Sequence, residues 1–199
     1  MKYIRRPILY SLAVTLLCGS LVTSYLIKKN SIDEPVINPV LEKVIPVIKE
    51  DLSLIKPYVK EDVEILSNYY DYNDSADNQI QSIIFYDNTF MQNTGIIYGA
   101  DDEFDVNAIT DGKVTKVTYD DITSYTVEVT HKDNLISRYQ FLSSIDVSEG
   151  ADIKKGAKIG VSGISNLIDN SKNQLYFSLL YNGEYVNALN YYGKTLEEL

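Results

Sequence analysis

The segment QLYFSLLYNGEYVN, residues 174–187, predicts a β-hairpin and thereby indicates the fold class. Two short runs, Gln174–Tyr181 and Glu184–Asn187, flank the dipeptide Asn182-Gly183. Asn-Gly strongly favours a two-residue turn, because both positions of such a turn need positive φ. This part of the chain is therefore expected to form two antiparallel strands.

The same period of two extends outward from this hairpin back to Gln79, so the whole region is expected to be β. Six further strands are predicted: Ser82–Tyr86, Phe104–Thr110, Lys113–Tyr119, Tyr125–His131, Leu135–Phe141 and Lys158–Ser162. Asp111-Gly112 predicts a second two-residue turn. No proline follows Pro57, which suits paired strands. Eight short strands with tight turns indicate a mainly β domain, an antiparallel barrel or sandwich, over residues 80–194.

A short helix is expected just before this domain, within a segment of residues 58–79. In KEDVEILSNYY, residues 60–70, Glu61 and Asp62 lie in the first turn, where the helix dipole favours anions. Val63, Leu66 and Tyr70 would form one apolar face. A polar loop follows to Gln79, and residues 195–199 form a C-terminal tail.

The N-terminal region predicts a membrane anchor. Residues 8–27 contain no charged side chain, and a helix of 20 residues spans about 30 Å, one hydrocarbon core. Residues 1–7 would be a short basic cytoplasmic N-terminus by the positive-inside rule. The alternative is a cleaved signal peptide, although its apolar region is normally only about 7–15 residues long.

Residues 28–57 are interpreted as a spacer between the anchor and the domain. Four of the five prolines, Pro35, Pro39, Pro46 and Pro57, fall here and discourage one long helix. Apolar pairs recur between them, so the segment is either a semi-rigid spacer or a segment that packs on a partner.

Composition excludes several classes of function. The chain has 18 basic and 28 acidic side chains, and the first 29 residues hold five basic and no acidic ones. The remainder therefore carries 13 basic and all 28 acidic side chains, a net charge of −15. This balance excludes non-specific nucleic-acid binding, which needs a basic face. One Cys and one His exclude a disulfide framework and a zinc site built from His and Cys.

Residues 93–192 resemble the LytM, or lysostaphin-like, zinc endopeptidase family. The matching segments are NTGIIYGA (93–100), AITDGKVTKV (108–117), RYQFLSSIDVSEGADIKKGAKIGVSG (138–163) and QLYFSLLYNGEYVNALNYY (174–192). The resemblance implies a LytM-like domain. In the family, two His and one Asp hold zinc, which activates water, and two further His assist proton transfer.

None of these five groups is present at the matching positions of this chain. They are replaced by Asn93, Ile97, Phe141, Gln174 and Tyr176. Ile and Phe have no lone pair, amides are weak zinc donors, and Tyr would need deprotonation from a pKa near 10. The resemblance thus implies a peptidase-like domain without a metal, a cofactor or catalytic residues. His131 lies outside these positions and is interpreted as a packing or surface residue.

A closer resemblance is to a degenerate, sporulation-specific branch of that family, with the same order of anchor, spacer and domain. It is carried by residues 56–74 and 83–106 and covers roughly residues 56–194. It implies a single-pass forespore-membrane protein whose domain lies in the space between forespore and mother cell. There it would bind the ectodomain of stage III sporulation protein AH, with further sporulation components, and build a transenvelope complex or channel.

The hairpin from Lys113 to Val129 is the predicted contact surface for that partner. Its candidate residues are Lys113, Lys116, Tyr119, Asp120, Asp121 and Tyr125. Tyr suits interfaces because it buries a large rigid area and keeps a polar tip. An exposed strand edge could also accept a partner strand. The alternative is an ordinary solvated hairpin.

Three other functions remain open from the sequence. One is a non-catalytic cell-wall regulator that activates an amidase or binds peptidoglycan. Another is a cell-wall hydrolase with an unorthodox, carboxylate-based site. The last is an unrelated β-barrel binding module, such as a lipoyl-type carrier with Lys154-Lys155-Gly156 in a turn.

Overall fold

A computed structural model describes residues 53–165, 167–168 and 171–198. The predicted N-terminus, the membrane anchor of residues 8–27 and most of the spacer lie outside the described residues. Within the described residues, no helix has both the length and the apolar character needed to cross a membrane.

The described part of the chain is mainly β, as predicted. Its strands are β1 (Glu64–Ser67), β2 (Ile83–Tyr86), β3 (Thr89–Gln92), β4 (Ile96–Ala100), β5 (Asp105–Asn107), β6 (Gly112–Asp120), β7 (Ser124–Thr130), β8 (Leu135–Ile145), β9 (Asp152–Ile153), β10 (Lys158–Ser162), β11 (Asn173–Tyr181) and β12 (Glu184–Val186). One α-helix, α1 (Ala76–Gln81), precedes β2, and two 3-10 turns, Ala188–Asn190 and Leu196–Glu198, follow β12.

Ten strands form one antiparallel sheet in the order β1-β4-β11-β8-β7-β6-β9. Strand β12 lies beside β11, while β10 pairs with both β5 and β8. The remaining two strands, β2 and β3, pair only with each other. The hairpin of residues 83–92 is therefore separate from the main sheet.

The core lies on one face of the central strands. Along β11, Leu175, Phe177 and Leu179 are fully buried in it and join Ile96 and Tyr98 of β4. Burying each such side chain contributes roughly 1.5–3 kcal/mol. Because successive side chains of a strand point to opposite faces, the intervening residues of β4 and β11 face the other side of the sheet. That side carries the candidate site.

Strand β8 bends at Phe141. Residues 135–140 pair with β11, whereas Leu142, Ser144 and Ile145 pair with β10. Phe141 itself adopts a left-handed conformation with φ of 68°. Glycine is required at position 163 because a Cβ there would lie 2.7 Å from the Phe141 carbonyl oxygen. This glycine lets the chain after β10 approach the bend closely.

The helix predicted for residues 60–70 is wrong, because β1 occupies residues 64–67 and pairs with β4. An isolated helix of eleven residues is marginal in water. The edge of β4 offers backbone hydrogen bonds instead, and the Leu66 side chain packs against the open face of Gly99. The structure also places a short helix, α1, within the predicted polar loop. Its N-cap Ser75 accepts a hydrogen bond from the Asn78 amide.

The two predicted tight turns differ in outcome. Asn182 and Gly183 have φ of 52° and 85° and join β11 to β12, so that prediction is confirmed. The turn predicted at Asp111-Gly112 is wrong, because Gly112 begins β6 and pairs with Ile153 of β9. Residues 87–88 and 133–134 form the left-handed turns that the sequence reading missed.

Candidate functional site

Three of the five positions expected from the family resemblance contact one another on one face of the sheet. The register pairs Ile97 of β4 with Tyr176 of β11, and Tyr176 with Gln140 on its other side. The next residue of β8 is Phe141, whose ring centroid lies 5.5 Å from that of Tyr176. The structure therefore brings these three side chains together at the bend of β8.

The space around them is filled by apolar side chains. Ile84, Ile97, Phe141 and Leu167 form a buried cluster. Four partly buried side chains pack against it: Leu66, Tyr86, Ile168 and Tyr176. Beside this cluster lies a cleft of about 210 Å³, lined by Leu66, Ser67, Gln81, Ile83, Ile84, Phe85, Leu167 and Ile168. Six of these eight residues are apolar, and Ser67 and Gln81 are polar.

The Asn93 side chain joins two segments of the chain. It is fully buried, and its Nδ2 donates to Ser67 Oγ at 3.0 Å and to the Asn68 carbonyl at 2.8 Å. Its Oδ1 accepts from the Gly95 amide at 3.0 Å. These bonds occupy the amide side chain, so Asn93 secures the chain between β3 and β4 to the end of β1.

Tyr176 is half-buried, and its hydroxyl lies 3.1 Å from Thr94 Oγ1. This contact links the middle of β11 to the segment that follows Asn93. The phenol thus has a hydroxyl partner and an aromatic neighbour, Phe141.

Gln174 is buried without hydrogen-bond partners for its side chain. Its backbone exchanges hydrogen bonds with Gly163, while Nε2 and Oε1 have no hydrogen-bond partner. It lies on the same face of β11 as Tyr176, two residues away. A buried polar group without a partner costs roughly 1–3 kcal/mol.

The residues at these five positions do not fit a zinc ion. Ile97 and Phe141 offer no donor atom, and the Asn93 amide is already bonded within the protein. Zinc in proteins is bound by thiolate, imidazole and carboxylate groups. In the described part of the chain, no group of three or more His, Cys, Asp or Glu side chains could hold a metal ion.

His131 is a buried member of a polar network in the core. Its Nδ1 lies 2.8 Å from the Asp111 carbonyl, which can only accept, so Nδ1 carries the proton. Its Nε2 then accepts from Ser137 Oγ at 2.7 Å, and Ser137 Oγ lies 3.0 Å from Tyr139 Oη. Burial lowers the pKa of His131, and burial raises the pKa of Tyr139 to about 12. His131 is thus a neutral packing residue, one of the two roles expected for it.

The six residues predicted to contact a partner lie along one hairpin, β6–β7. Lys113 and Lys116 are exposed on β6, and Tyr119 pairs with Tyr125 across the two strands, with ring centroids 5.0 Å apart. Asp121 is exposed in the loop.

Asp120 differs from the other five because its carboxylate organises the loop. Oδ1 accepts from the backbone amides of Ile122 at 2.8 Å and Thr123 at 2.7 Å, and Oδ2 accepts from the Thr123 hydroxyl. The Thr123 hydroxyl and these amides lower the pKa of Asp120. Its role is therefore internal to the hairpin.

The outer edge of β6 is open over most of its length. Strand β9 pairs only with Gly112 and Lys113, and residues 150–151 bond the backbone of Val114. In the described part of the chain, no strand pairs with the outer edge from Thr115 to Asp120. An open edge of this length can accept a partner strand.

The sequence reading missed a second exposed hairpin, β2–β3, whose aromatic side chains face solvent. The Asp87-Asn88 turn was the available signal, since Asp and Asn tolerate the left-handed conformation that such a turn needs.

Residues 91–188 match the model of a protein family described as "Peptidase family M23". A curated relative, stage II sporulation protein Q of Bacillus subtilis strain 168, is 31% identical over 133 residues, 66% of this chain. The chain spans about half of that relative's length, since the match covers 47% of it.

Two solved structures share both fold and sequence with this chain. "Structure of the SpoIIQ-SpoIIIAH pore forming complex" contains a chain 29% identical to this one, with a TM-score of 0.70, covering 74% of this chain and 95% of that chain. "Crystal Structure of SpoIIIAH and SpoIIQ Complex" contains one 30% identical, with a TM-score of 0.66, covering 69% and 99%.

A more distant structure shares the fold alone. A zinc-containing peptidase from Vibrio cholerae is 20% identical, with a TM-score of 0.56, over 69% of this chain and 39% of that chain.

Proposed function

The domain at residues 91–188 belongs to peptidase family M23, and from this membership we propose that the protein is a non-catalytic interaction protein of a sporulation membrane complex. The observation that carries the proposal is the buried apolar cluster around the replaced positions. The fold of a zinc peptidase is retained, while an apolar cluster of Ile84, Ile97, Phe141 and Leu167 lies where the family resemblance expects metal chemistry.

We infer that peptidase activity is absent because the five positions lack suitable zinc donors. A metal-dependent hydrolase needs at least three protein ligands and an open position for water. The amides of Asn93 and Gln174 and the phenol of Tyr176 do not form such a set. Incubating the protein and zinc with purified peptidoglycan is therefore expected to release no new amino or reducing ends. Release of either would contradict the proposal.

The proposed partner is the ectodomain of stage III sporulation protein AH. Support comes from similarity to the SpoIIQ chains of two complexes that contain SpoIIIAH, at 29% and 30% identity over nearly the whole of those chains. We further propose that the protein contributes with this partner to a transenvelope complex or channel.

The proposed contact surface on this chain is the β6–β7 hairpin. Among the described residues no strand pairs with its outer edge from Thr115 to Asp120, and the edge-to-face pair of Tyr119 and Tyr125 gives it an aromatic face. Lys113 and Lys116 lie on the opposite face of the hairpin from the tyrosines, Asp121 is exposed in the loop, and Asp120 holds the loop in shape. The hairpin would add to a strand of the partner, with the tyrosines buried between them.

The proposed location rests on the uncharged segment of residues 8–27 and on the acidic charge of the rest of the chain. Residues 8–27 would anchor the chain in the forespore membrane, and the domain would project into the intermembrane space. The acidic remainder, with its net charge of −15, is repelled by anionic lipid and would stand away from the bilayer.

The decisive experiment is a calorimetric titration of residues 53–199 with the stage III protein AH ectodomain, at two salt concentrations. Saturable binding that is lost in Tyr119→Ser and Lys116→Glu supports both the partner and the contact surface. The matched control is Lys194→Glu, an exposed lysine in the segment after β12, and it should bind normally. Loss of binding in the control but not in the two test variants would contradict the assignment of the surface.

Absence of binding at either salt concentration would favour a different class of function, a non-catalytic cell-wall regulator. The observation that favours it is the family itself, because an M23 fold spans residues 91–188. In that case the protein would stimulate an amidase or bind peptidoglycan through the cleft. An amidase assay with and without the protein distinguishes the two, since an interaction protein alone produces no stimulation.

A further inference from the structure

The β2–β3 hairpin and helix α1 form an exposed unit outside the main sheet. All four residues of β3 are exposed, which is unusual for a strand with two large apolar side chains. Phe85 is 56% and Phe90 is 74% exposed, and their ring centroids lie 4.8 Å apart. Exposed apolar patches of this kind on folded domains mark interaction sites.

The backbone of β3 has a free edge. The turn at residues 87–88 makes Tyr86 and Thr89 the first hydrogen-bonded pair. In an antiparallel pair the bonding alternates, so the N–H and C=O groups of Phe90 and Gln92 point away from β2. In the part of the chain that the structure describes, no strand pairs with this outer edge.

A cleft with both apolar and polar lining residues adjoins the hairpin on one face. Ile83 and Phe85 of β2 contribute to the cleft of about 210 Å³, with Leu66 of β1 and Leu167 opposite. Phe90 packs on Phe85, so the exposed rings and the cleft are continuous. A segment lying along β3 could therefore insert an apolar side chain into the cleft.

The exposed unit carries charge of one sign, because residues 71–92 contain four acidic side chains and no basic one. Other carboxylates between residues 61 and 112 pair with lysines outside that range, such as Glu64 with Lys172 and Asp105 with Lys158. Asp71 and Asp74 are used locally, since each accepts a hydrogen bond from a neighbouring backbone amide. Asp77 in α1 and Asp87 in the turn are exposed and take part in none of the ion pairs in the described residues.

We propose that the β2–β3 hairpin, with α1 and the adjoining cleft, docks an extended, basic segment of a partner protein. The segment would pair with the free edge of β3, place aliphatic side chains on Phe85, Phe90 and the cleft, and place Lys or Arg near Asp77 and Asp87. The inference goes beyond the proposed function, because its residues are different from those of the β6–β7 hairpin.

The acidic charge of this surface favours a basic segment over a second copy of the chain or an anionic membrane. A second copy of the chain would bring the same uncompensated carboxylates into contact, and like charges directly opposed are unfavourable. An anionic membrane surface would be repelled for the same reason. A basic segment is attracted at each carboxylate.

The test uses the purified full-length chain in phosphatidylcholine nanodiscs and a fluorescein-labelled peptide, Lys-Val-Lys-Val-Lys-Val, followed by fluorescence anisotropy. We expect saturable binding that weakens as salt rises. Phe90→Ser and the double change Asp77→Asn with Asp87→Asn should each weaken it at least tenfold. Both replace exposed side chains, so the domain should remain folded, as circular dichroism would verify.

Two further comparisons test whether the peptide pairs with the β3 backbone and whether the effect is specific to this hairpin. Gln92→Pro removes the outward N–H of β3 and should weaken binding at least tenfold, whereas Gln92→Ser should change it less than twofold. Leu189→Ser removes an exposed apolar side chain from the 3-10 turn after β12 and should also leave peptide affinity unchanged. Equal affinity of wild type and Phe90→Ser, or equal binding of the peptide Glu-Val-Glu-Val-Glu-Val, would overturn the proposal.

Failure here is separable from failure of the proposed function. Phe90→Ser should bind the stage III protein AH ectodomain as wild type does. If Phe90→Ser abolished that binding, the claim of a second, independent surface would be wrong. If wild type failed to bind that ectodomain, the peptide measurements would still decide the present proposal.

Discussion

Gln174, one of the five replaced positions, has a buried side-chain amide whose desolvation no hydrogen bond compensates. Its amide is fully buried and has no hydrogen-bond partner, two residues along β11 from Tyr176. Replacing a buried unsatisfied group by an apolar one of the same shape is neutral or stabilising. The position therefore tests whether the face of β11 around Gln174 behaves as an apolar interior.

We expect Gln174→Met to increase the free energy of unfolding by about 1 kcal/mol, because methionine has a similar shape and no polar group to satisfy. Urea denaturation of residues 53–199 measures this. The control is Gln140→Met on β8, whose side chain is only half-buried and should change stability by less than about 0.5 kcal/mol. A destabilised Gln174→Met variant would indicate that the amide has a partner in solution.

The second residue-scale prediction concerns pH. His131 is the one histidine of the chain, and burial lowers its pKa, so the unfolded chain binds a proton that the folded chain does not. Stability must then decrease as the pH falls below the unfolded value of about 6.5. The slope is at most about 1.4 kcal/mol per pH unit for a single proton.

Denaturant curves from pH 7.5 down to pH 5.5 should show this decrease in the wild type. In His131→Asn the decrease over the same interval should be absent, even if the variant is less stable throughout. An identical pH dependence in both proteins would show that His131 is not the group responsible.

At the scale of elements, the loop between β6 and β7 depends on one side chain. The Asp120 carboxylate accepts hydrogen bonds from the amides of residues 122 and 123 and from the Thr123 hydroxyl. Such a side chain substitutes for the backbone partners that a tight loop lacks.

Asp120→Ala should lower the free energy of unfolding by about 1 kcal/mol and weaken partner binding through loss of loop shape. Asp120→Asn keeps an acceptor oxygen and removes the charge, so it should retain most of the stability. Thermal unfolding compares the two variants. Equal destabilisation by alanine and asparagine would point to the charge rather than the hydrogen bonds.

The elements also show what could be read from the sequence. The strands at 158–162 and 174–181 were predictable because aliphatic side chains and turn residues are both local signals. Residues 60–70 were not, because the helical spacing of Val63, Leu66 and Tyr70 is overridden by pairing of β1 with the distant strand β4. Asp111 is likewise a common turn residue. Its carboxylate instead accepts hydrogen bonds from the Lys154 ammonium and the Lys155 backbone amide, which are distant in the sequence.

The candidate site was also predictable only in part, because some of its residues come from segments without a local signal. A family resemblance aligned Ile97, Phe141 and Tyr176, and the structure brings these three together. The apolar partners that fill the space, Ile84 and Leu167, come from other segments and carry no local signal. The exposure of Phe90 was hidden too, since periodicity does not reveal a strand that lies outside the main sheet.

At the scale of the whole molecule, stability should not depend on zinc. Ligands that bind only the folded state raise its melting temperature by mass action. Since the five replaced positions lack suitable donors, excess zinc and excess chelator should give the same melting temperature for residues 53–199. The zinc-containing peptidase from Vibrio cholerae serves as the positive control. A rise with zinc in this protein would contradict the fit argument.

The overall charge leads to a further whole-molecule prediction. Residues 30–199 have a net charge of −15, and self-repulsion destabilises a compact state. Raising sodium chloride from low to physiological concentration screens charges beyond roughly 8 Å. The melting temperature should therefore increase with salt over this range, while partner binding weakens. A melting temperature that falls with salt would show that ion pairs outweigh the repulsion.

The buried, neutral imidazole of His131 has a consequence for how the molecule responds to its surroundings. Histidine is the side chain that ordinarily changes charge between pH 5 and 8, and the one histidine of this chain is buried, which lowers its pKa and keeps it uncharged. The electric field around the domain therefore stays almost constant as a compartment acidifies or recovers across the neutral range. Whatever the acidic surface attracts, the charge that this chain contributes to the attraction stays the same throughout that range.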